Sequence, residues 1–392
     1  MNFKMKVMIS LLGGRLLPNV QSILKLNPDR LYIIASKDSC TQNGSYSQLS
    51  SMLPDRLKHS ECYSVDPYKL KGTSDKCKEI FEKHHTDQII VVSASEPKTM
   101  SFGAYDAVKD FREQGKDIDM CYSSREGLIW IFYENKRDEF RISLKDYFNS
   151  YGWDVELKST PDSRLEKLAS LLVEKLPDSH KLLHILRDDD NKGKRKGKRT
   201  NKSKLEDKLF NILLEIEKIG LVSNLQYRDS ETEWTINTDA DGDILLKGHW
   251  LEFYVYQVAS QANQDKPLFD ECGWGIKDIH GKGEIDFAGI TKGQMIIASC
   301  KTENSIERKW FEELHSKMEQ LGKGMCSGLM ISSVSKASRN EKDIERYNKW
   351  AKERQIVFVM AEDLPRLPDI LRKVVTGDDN DALKDIPYYP RI

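Results

Sequence analysis

Several features that would define the class of this 392-residue chain at once are missing from its sequence. No apolar run approaches the roughly 20 residues that a membrane-spanning helix needs. The first eight residues are mixed, with Lys4 and Lys6 among them, and do not resemble a secretory signal. The seven cysteines are dispersed without a C-x-x-C pair, which disfavours a structural zinc site and indicates reduced thiols. We therefore expect a soluble, cytoplasmic protein without membrane contact.

An excess of charge of one sign is also missing. The chain has 61 Lys and Arg residues against 62 Asp and Glu residues, a net charge of -1. The protein as a whole is thus not a polycation that coats nucleic acid, and any such contact needs a local patch. One patch is the run 192–204, which holds eight Lys or Arg residues in 13 positions. Two interpretations of this run stay open: a solvated linker, or a segment that grips a nucleic-acid backbone.

Hydrophobic residues make up 39% of the chain, enough for folded cores. Over residues 1–145, short apolar runs such as 30–36 and 88–93 alternate with amphipathic segments. This alternation predicts an α/β fold with a Rossmann-like parallel sheet, in which ligands bind at the carboxyl ends of the strands. No G-x-G-x-x-G fingerprint accompanies it, which disfavours an oxidoreductase. A further strand is expected at 140–142.

The rest of the chain divides by composition. Residues 146–204 are interpreted as a helical connector that ends in the basic run, and residues 205–392 as a second domain. Within this domain we expect a winged-helix-like element at 205–246, made of one helix and three short strands at 224–228, 233–237 and 243–246. Residues 247–362 predict a second α/β core, and the tail from Pro365 onward predicts irregular structure.

The sharpest chemical pattern lies in this second core. Glu284 and Asp286 share one face of a predicted strand, Lys301 ends the next strand, and Glu252 lies on the helix before them. Such carboxylates suit Mg²⁺ or Mn²⁺, which activates water against a phosphodiester while the lysine stabilises negative charge. The alternative is a solvated face with exposed ion pairs. Because Lys301 follows a buried apolar run, both interpretations stay open at this point.

The run from Asp286 to Ser299-Cys300-Lys301, with 248–252 upstream, resembles a restriction-endonuclease-like PD-(D/E)xK nuclease. In the first domain, Lys98 and Met100 after the fourth strand match a Gly-Thr-Lys-x-Met-like motif, although Pro97 replaces its threonine. The motif 18–19 after strand one and the motif 27–30 before strand two follow the same pattern. Together they resemble CRISPR-associated nucleases that fuse an N-terminal CARF sensor domain to such a nuclease, over nearly the whole chain.

This resemblance implies that the sensor domain binds cyclic tetra-adenylate as an activator. The implied ligand-binding residues are Leu12, Gly13, Gly14, Arg15, Asn19, Ser36, Lys98, Thr99 and Met100. Their chemistry agrees, because glycines let the backbone approach a ligand closely, and cationic side chains and helix N-termini offset phosphodiester charge. The resemblance also implies a homodimer, in which two sensor domains form one pocket for a two-fold-symmetric ligand.

For the nuclease domain, the resemblance implies a metal held by Glu252, Asp286 and the backbone carbonyl of Cys300, with Lys301 and Glu284 completing the catalytic set. Substrates left open are single-stranded DNA, RNA and supercoiled duplex DNA.

One departure from the family pattern matters. The acid that normally stands two residues before the lysine is Ser299 here. Glu284 is the first candidate to supply the missing carboxylate, and Glu303 is the second. Otherwise the chain is a weak or inactive nuclease, a sensor that regulates a partner or transcription. Trp274, in a Gly-rich loop, is interpreted either as a core residue or as a platform for an unpaired base.

Overall fold

The computed structural model describes residues 4–41, 44–123, 128–158, 162–193, 198–228, 231–265, 268–322 and 325–377. The chain divides into two compact units. The first comprises Met1–Val155 with Ile290–Gln294, and the second comprises Glu156–Gly289 with Met295–Ile392. The chain passes between them in a two-residue strand, β8 (Val155–Glu156). The division falls inside the predicted connector 146–204, ahead of the basic run 192–204.

The first unit contains a sheet of seven strands among the described residues, in the order β3-β2-β1-β4-β5-β6-β7. These strands are β1 (Lys6–Leu12), β2 (Arg30–Ser36), β3 (Glu61–Val65), β4 (Gln88–Val92), β5 (Ile118–Ser123), β6 (Leu128–Ile131) and β7 (Lys136–Glu139). Its helices are α1 (Leu17–Leu26), α2 (Ser45–Met52), α3 (Leu70–Lys83), α4 (Lys98–Glu113) and α5 (Leu144–Ser150). The first five strands in this order pair in parallel, and β6 and β7 pair antiparallel.

This arrangement confirms the predicted Rossmann-like fold. Strands β1 and β2 bury nearly all of their residues, as parallel strands inside a sheet do. Helices α3 and α4 pack against the sheet through Phe81, Val108 and neighbouring apolar residues. The strand order reverses between β1 and β4, so the loops after these two strands meet at a topological switch point. The strand expected at 140–142 is wrong: the strand that pairs with β6 is β7, which ends at Glu139.

The second unit contains the remaining elements. Its helices are α6 (Ser163–Glu174), α7 (Asp178–Gly193), α8 (Asp207–Ile219), α9 (Asp239–Leu246), α10 (His249–Asp265), α11 (Arg308–Gln320), α12 (Glu341–Glu353) and α13 (Leu367–Thr376). Its strands are β9 (Arg199–Ser203), β10 (Val222–Arg228), β11 (Glu231–Ile236), β12 (Glu271–Asp278), β13 (Glu284–Thr291), β14 (Gln294–Lys301), β15 (Cys326–Ser332) and β16 (Ile356–Val359).

Helices α6 and α7 belong to this unit because of their leucines. Leu168 and Leu172 of α6 and Leu182 and Leu186 of α7 are fully buried in one core with α8 and α10. The basic run that follows is not simply a free linker, since Arg199–Ser203 forms β9 and pairs antiparallel with β11. Residues 194–197 of the run lie outside the described residues.

Other expectations for this unit have mixed outcomes. Helix α8 followed by β10 and β11 agrees with the expected helix and ribbon, but the strand expected at 243–246 is wrong. That segment lies in α9, because Thr238 caps a helix: its Oγ1 accepts a hydrogen bond from the Asp241 N–H at 3.1 Å. The tail is not wholly irregular either, since α13 packs Leu371 into the core. Residues 378–392 lie outside the described residues.

The chemistry-bearing sheet of this unit runs β16-β15-β14-β13-β12. Strands β14, β15 and β16 are parallel, and a two-residue turn joins β13 to β14. Lys292 and Gly293 of this turn have φ values of +48° and +74°, which a type I′ turn requires. In the described residues, no helix is long and apolar enough to cross a membrane.

Candidate functional site

In the first unit, the loops after β1 and β4 touch through their backbones. A Cβ atom at Gly13 would lie 2.0 Å from the carbonyl oxygen of Ser95 and 2.9 Å from Cα of Glu96. The Gly13 N–H also donates a hydrogen bond to Ser95 Oγ at 3.3 Å. Only glycine fits this position, because backbone atoms cannot yield as a flexible side chain does. Gly14 differs, since nothing lies within 4 Å of its Cβ position, so its exposed face is open to a ligand.

Asn19 holds these loops together from inside. Its Nδ2 donates to Ser10 Oγ and to the Leu11 carbonyl, both at 2.8 Å, and its Oδ1 accepts from Ser95 Oγ at 2.7 Å. The side chain is fully buried. Asn19 is therefore placed to position the two loops, and its side chain does not face a ligand.

Sequence reasoning missed Glu96, which organises the loop after β4. Its carboxylate accepts hydrogen bonds from the N–H groups of Ala94 and Ser95 at 2.8 and 2.9 Å. It also accepts from the hydroxyls of Ser93 and Ser101 at 2.5 and 2.6 Å. The available signal was an acid directly before Pro97 at the start of a helix. A negative charge thus already lies near the N-terminus of α4, where the sequence predicted a phosphate.

The remaining sensor residues differ in exposure. Arg15 and Lys98 are exposed, whereas Thr99 and Ser36 are half-buried, with Ser36 Oγ 3.0 Å from Ser39 Oγ. Leu12 and Met100 are buried in the unit. The expectation that the Met100 side chain contacts a ligand is not supported, because it packs in the core between α4 and the sheet. Gly14, Arg15, Lys98 and the half-buried Ser36 and Thr99 remain as the accessible set.

In the second unit, β13 and β14 bring the predicted catalytic residues together. Asp286 Oδ2 accepts a hydrogen bond from the Cys300 N–H at 2.6 Å and lies 3.4 Å from Ser299 Oγ. Burial raises the pKa of Asp286, and the positive charge of Lys301 opposes that rise. Asp286 is therefore fixed beside the segment that ends in Lys301, as strand alternation predicted.

Glu252 on α10 lies within the electrostatic field of Asp286. Burial first, and then the charge of Asp286, raise the pKa of Glu252 to about 7, while Lys158 opposes this rise. A carboxylate whose pKa is raised by burial and by a neighbouring carboxylate indicates a site with an excess of buried negative charge. Helix α10 thus places its acid where the sequence expected it.

A second lysine lines the same cavity. Asp286, Ser299 and Lys301 share this small cavity with Glu313 and Lys317 of α11. Lys317 Nζ donates to the backbone carbonyl of Glu284 at 2.5 Å, and burial lowers the pKa of Lys317 while Asp286 opposes that shift. Sequence reasoning missed both α11 residues. Their only signal was that an amphipathic helix directly follows the strand that ends in Lys301.

The two candidates for the missing acid differ in position. Glu284 acts on both Glu252 and Asp286, raising the pKa of each, but it is 41% exposed and its Oε2 lies 3.5 Å from Lys277 Nζ. Glu303 is exposed, and its charge affects the pKa values of His184 and Arg187 of α7 instead. Glu284 is therefore the better placed of the two.

The donor set fits a hard divalent cation held by few protein ligands. In the residues that the structure describes, no group of three or more His, Cys, Asp or Glu side chains forms a ready cation site. Mg²⁺, however, is commonly held by one or two carboxylates and retained waters. Such a cation would offset the negative charge of Asp286 that raises the pKa of Glu252. Burial keeps the pKa of the Cys300 thiol well above its usual range, and a hard cation prefers oxygen donors, so the carbonyl is the group that this residue would contribute.

Comparisons with known proteins agree with this geometry. Residues 239–376 match the family model described as Card1-like, endonuclease domain. The resemblance to nucleases is confirmed. The matched segment contains Glu252, Asp286 and Lys301, while the search of curated proteins found no match.

Solved structures extend the likeness to the whole fold. One is protein VC1899 from Vibrio cholerae, at a TM-score of 0.73 and 17% identity, covering 95% of this chain and 98% of that one. Another is Can2 from Sulfobacillus thermosulfidooxidans in complex with cyclic tetra-adenylate, at a TM-score of 0.70 and 16% identity, covering 94% and 96%. A third, a type III CRISPR defence DNA nuclease activated by cyclic oligoadenylate, has a TM-score of 0.55 and 15% identity, covering 85% of this chain and 46% of that one. At these identities the likeness shows the shared fold.

The core interpretation of Trp274 is favoured by its surroundings in the Card1-like region. The indole is 6% exposed, lies 5.4 Å from the Phe253 ring centroid, and is covered by Lys158, whose Nζ lies 4.7 Å from the indole centroid. A base therefore cannot reach this ring without displacing the lysine.

The raised pKa of Glu252 predicts a measurable pH effect on the metal-free protein. Since its folded pKa of about 7 lies above its unfolded value near 4.3, this group favours folding at low pH, and the contribution is lost as pH rises through 7. Glu252→Gln removes the penalty, so its melting temperature should exceed that of the wild type by several degrees at pH 8, for up to about 3.7 kcal/mol, and this difference should shrink to that of about 1 kcal/mol near pH 5.

Thermal melts in EDTA from pH 5 to pH 8 check this, with Glu345→Gln on the exposed surface of α12 as the control. The same pH trend in both variants, or no trend in Glu252→Gln, would contradict the assignment of a buried, charge-coupled carboxyl.

Proposed function

We propose that this protein is a metal-dependent endonuclease of type III CRISPR defence that cyclic tetra-adenylate activates. The observation that carries the proposal is a cavity lined by Asp286 and Lys301, with Glu252 close enough for Asp286 to raise its pKa, all within the segment that matches the Card1-like endonuclease family. Supporting it, the fold follows that of Can2 in complex with cyclic tetra-adenylate over nearly the whole chain.

In the proposed mechanism, Glu252, Asp286 and the Cys300 carbonyl hold Mn²⁺ or Mg²⁺. When bound, such a cation lowers the pKa of water and polarises the phosphodiester of a DNA or RNA substrate. Asp286 is held in place by the Cys300 N–H at 2.6 Å. Glu252 must release its proton to bind, which its pKa of about 7 allows near neutral pH. Lys301, on the wall of the same cavity, stabilises the negative charge that develops on the phosphate.

In the proposed sensor, Gly14, Arg15, Lys98 and Thr99 bind the activator at the switch point between β1 and β4. A two-fold-symmetric ring meets identical residues from two copies, which favours a homodimer. Exposed aromatic residues of the same unit support an association surface. They include Phe102, Tyr105, Phe132 and Tyr133, which are 61%, 48%, 51% and 38% exposed. Activator binding would then shift the dimer toward its active form.

One cleavage assay tests the proposal. Purified protein with Mn²⁺ is mixed with labelled single-stranded DNA, single-stranded RNA and supercoiled plasmid, each with and without cyclic tetra-adenylate. We expect cleavage only when both metal and activator are present. Cleavage that ignores the activator, or that survives EDTA, would contradict the proposal.

Ser299 favours a second candidate function, a catalytically weak sensor that regulates a partner. Its hydroxyl lies 3.4 Å from Asp286 Oδ2, the position from which a carboxylate would join Asp286 at the metal. If the natural site is attenuated, Ser299→Glu should raise the cleavage rate at low Mn²⁺ by roughly tenfold or more, because a third carboxylate adds a metal ligand.

Ser316→Glu, on the exposed face of α11, is the control for added negative charge. Equal rates in Ser299→Glu and the wild type would show that the site needs no third carboxylate. If neither protein cleaves any substrate while both bind the activator, the regulator is the better assignment.

A further inference from the structure

A third lysine, outside the family pattern, reaches the nuclease site from the segment after β8. Lys158 Nζ lies 3.5 Å from Glu252 Oε2, and the two side chains are only 26% and 14% exposed. The pair is therefore largely shielded from water, where a charge interaction is stronger than at the surface. The charge of the lysine also opposes the raised pKa of Glu252, as its position beside this carboxylate requires.

Two neighbouring residues, Trp274 and Gly275, fix the position of the Lys158 side chain. Its ammonium lies over the Trp274 ring, 4.7 Å from the centroid, an arrangement that attracts a cation to the face of the indole. The Lys158 side chain also packs directly against the Gly275 backbone, since a Cβ atom at Gly275 would lie 2.3 Å from Lys158 Cδ and 2.7 Å from Cε. A carboxylate, an aromatic face and a glycine thus converge on one side chain.

The two catalytic carboxylates therefore have different cations. Lys301 is the charge that most opposes the raised pKa of Asp286, whereas Lys158 has this role for Glu252. A divalent cation that binds Glu252 would therefore be repelled by the Lys158 ammonium group, which lies 3.5 Å from Glu252 Oε2. Lys158 and the metal consequently compete for one carboxylate.

We infer that Lys158 is an internal cation of the nuclease site, which pairs with the ionised form of Glu252 in the metal-free protein and has to leave this carboxylate when a divalent cation binds. The inference rests on the proposed metal dependence. It assigns Lys158 as a positioning residue that keeps Glu252 aligned and lowers the affinity of the site for metal.

The test is Mn²⁺ binding to the full-length protein without substrate or activator, followed by the electron paramagnetic resonance signal of free Mn²⁺. Lys158→Met should bind Mn²⁺ about tenfold more tightly than the wild type, because the competing charge is gone. Lys158→Arg keeps the charge and should stay within about twofold of the wild type. Lys202→Met is the matched control, since Lys202 Nζ lies 3.0 Å from Glu233 Oε2 in the β9–β11 pair, with the two side chains 58% and 29% exposed, and neither residue belongs to the nuclease site.

Each outcome decides the inference. Unchanged or weaker binding by Lys158→Met, with a melting curve that shows a folded protein, overturns it, as does equal tightening by Lys202→Met. If wild-type protein binds Mn²⁺ and Lys158→Met binds no tighter, only the role of Lys158 fails. If neither the wild type nor any variant binds Mn²⁺, or if Glu252→Gln binds Mn²⁺ as tightly as the wild type does, the proposed metal dependence fails as well.

Discussion

Lys301→Ala should reduce cleavage by about 10³-fold while leaving the binding of cyclic tetra-adenylate unchanged. Lys301 lines the cavity beside Asp286 and Ser299, where the scissile phosphate is expected. Removing a single preorganised group that stabilises developing charge costs about 10²- to 10³-fold in rate.

The matched control is Lys309→Ala, which removes the same side chain from the exposed start of α11, where Lys309 Nζ lies 2.7 Å from Glu307 Oε2. It should cleave as the wild type does. Rates are compared at saturating Mn²⁺ and activator, and activator affinity is measured separately. Lys301→Ala that cuts as fast as Lys309→Ala would show that the chemistry is carried elsewhere.

The fold class could be predicted from local sequence patterns, because the strands and helices form where these patterns occur. Strand β2 has the expected bounds 30–36, and β4 ends one residue before the expected run 88–93, because short apolar runs flanked by turns leave few alternatives. The unit boundary did not follow in the same way. Charge in the run 192–204 suggested a break, but the buried leucines of α6 and α7 decide which unit these helices join. A composition change marks solvent exposure, whereas a boundary depends on long-range packing.

The candidate site shows the same division. Alternation along β13 and a strand ending at Lys301 were enough to predict that Asp286 lies beside 299–301. Lys158, Lys317 and Glu96 were not predicted. Lys158 reaches Glu252 across 94 positions of sequence, and nothing near it in the chain indicates a partner. Residues that tune a site through one charge or one hydrogen bond leave no periodic pattern.

Gly13→Ala should destabilise the sensor unit by about 3 kcal/mol and weaken activator binding by roughly 100-fold. The new methyl group would lie 2.0 Å from the Ser95 carbonyl oxygen, so one of the two loops has to move. Movement would break the Gly13 hydrogen bond to Ser95 Oγ and disturb the bond between Ser95 and the buried Asn19. Because these bonds hold the ends of β1 and β4 together, the ligand-binding edge loses its shape along with its stability.

Gly14→Ala makes the comparison sharp. It adds the same methyl group one residue later, where nothing lies within 4 Å, so its unfolding free energy should stay within about 0.5 kcal/mol of the wild type. Thermal melts of both variants, with calorimetric titration of cyclic tetra-adenylate, give the two readouts. Equal stability of Gly13→Ala and Gly14→Ala would mean that the β1 and β4 loops are not in backbone contact. A stable Gly13→Ala that has lost only activator binding would instead make Gly13 a direct ligand contact.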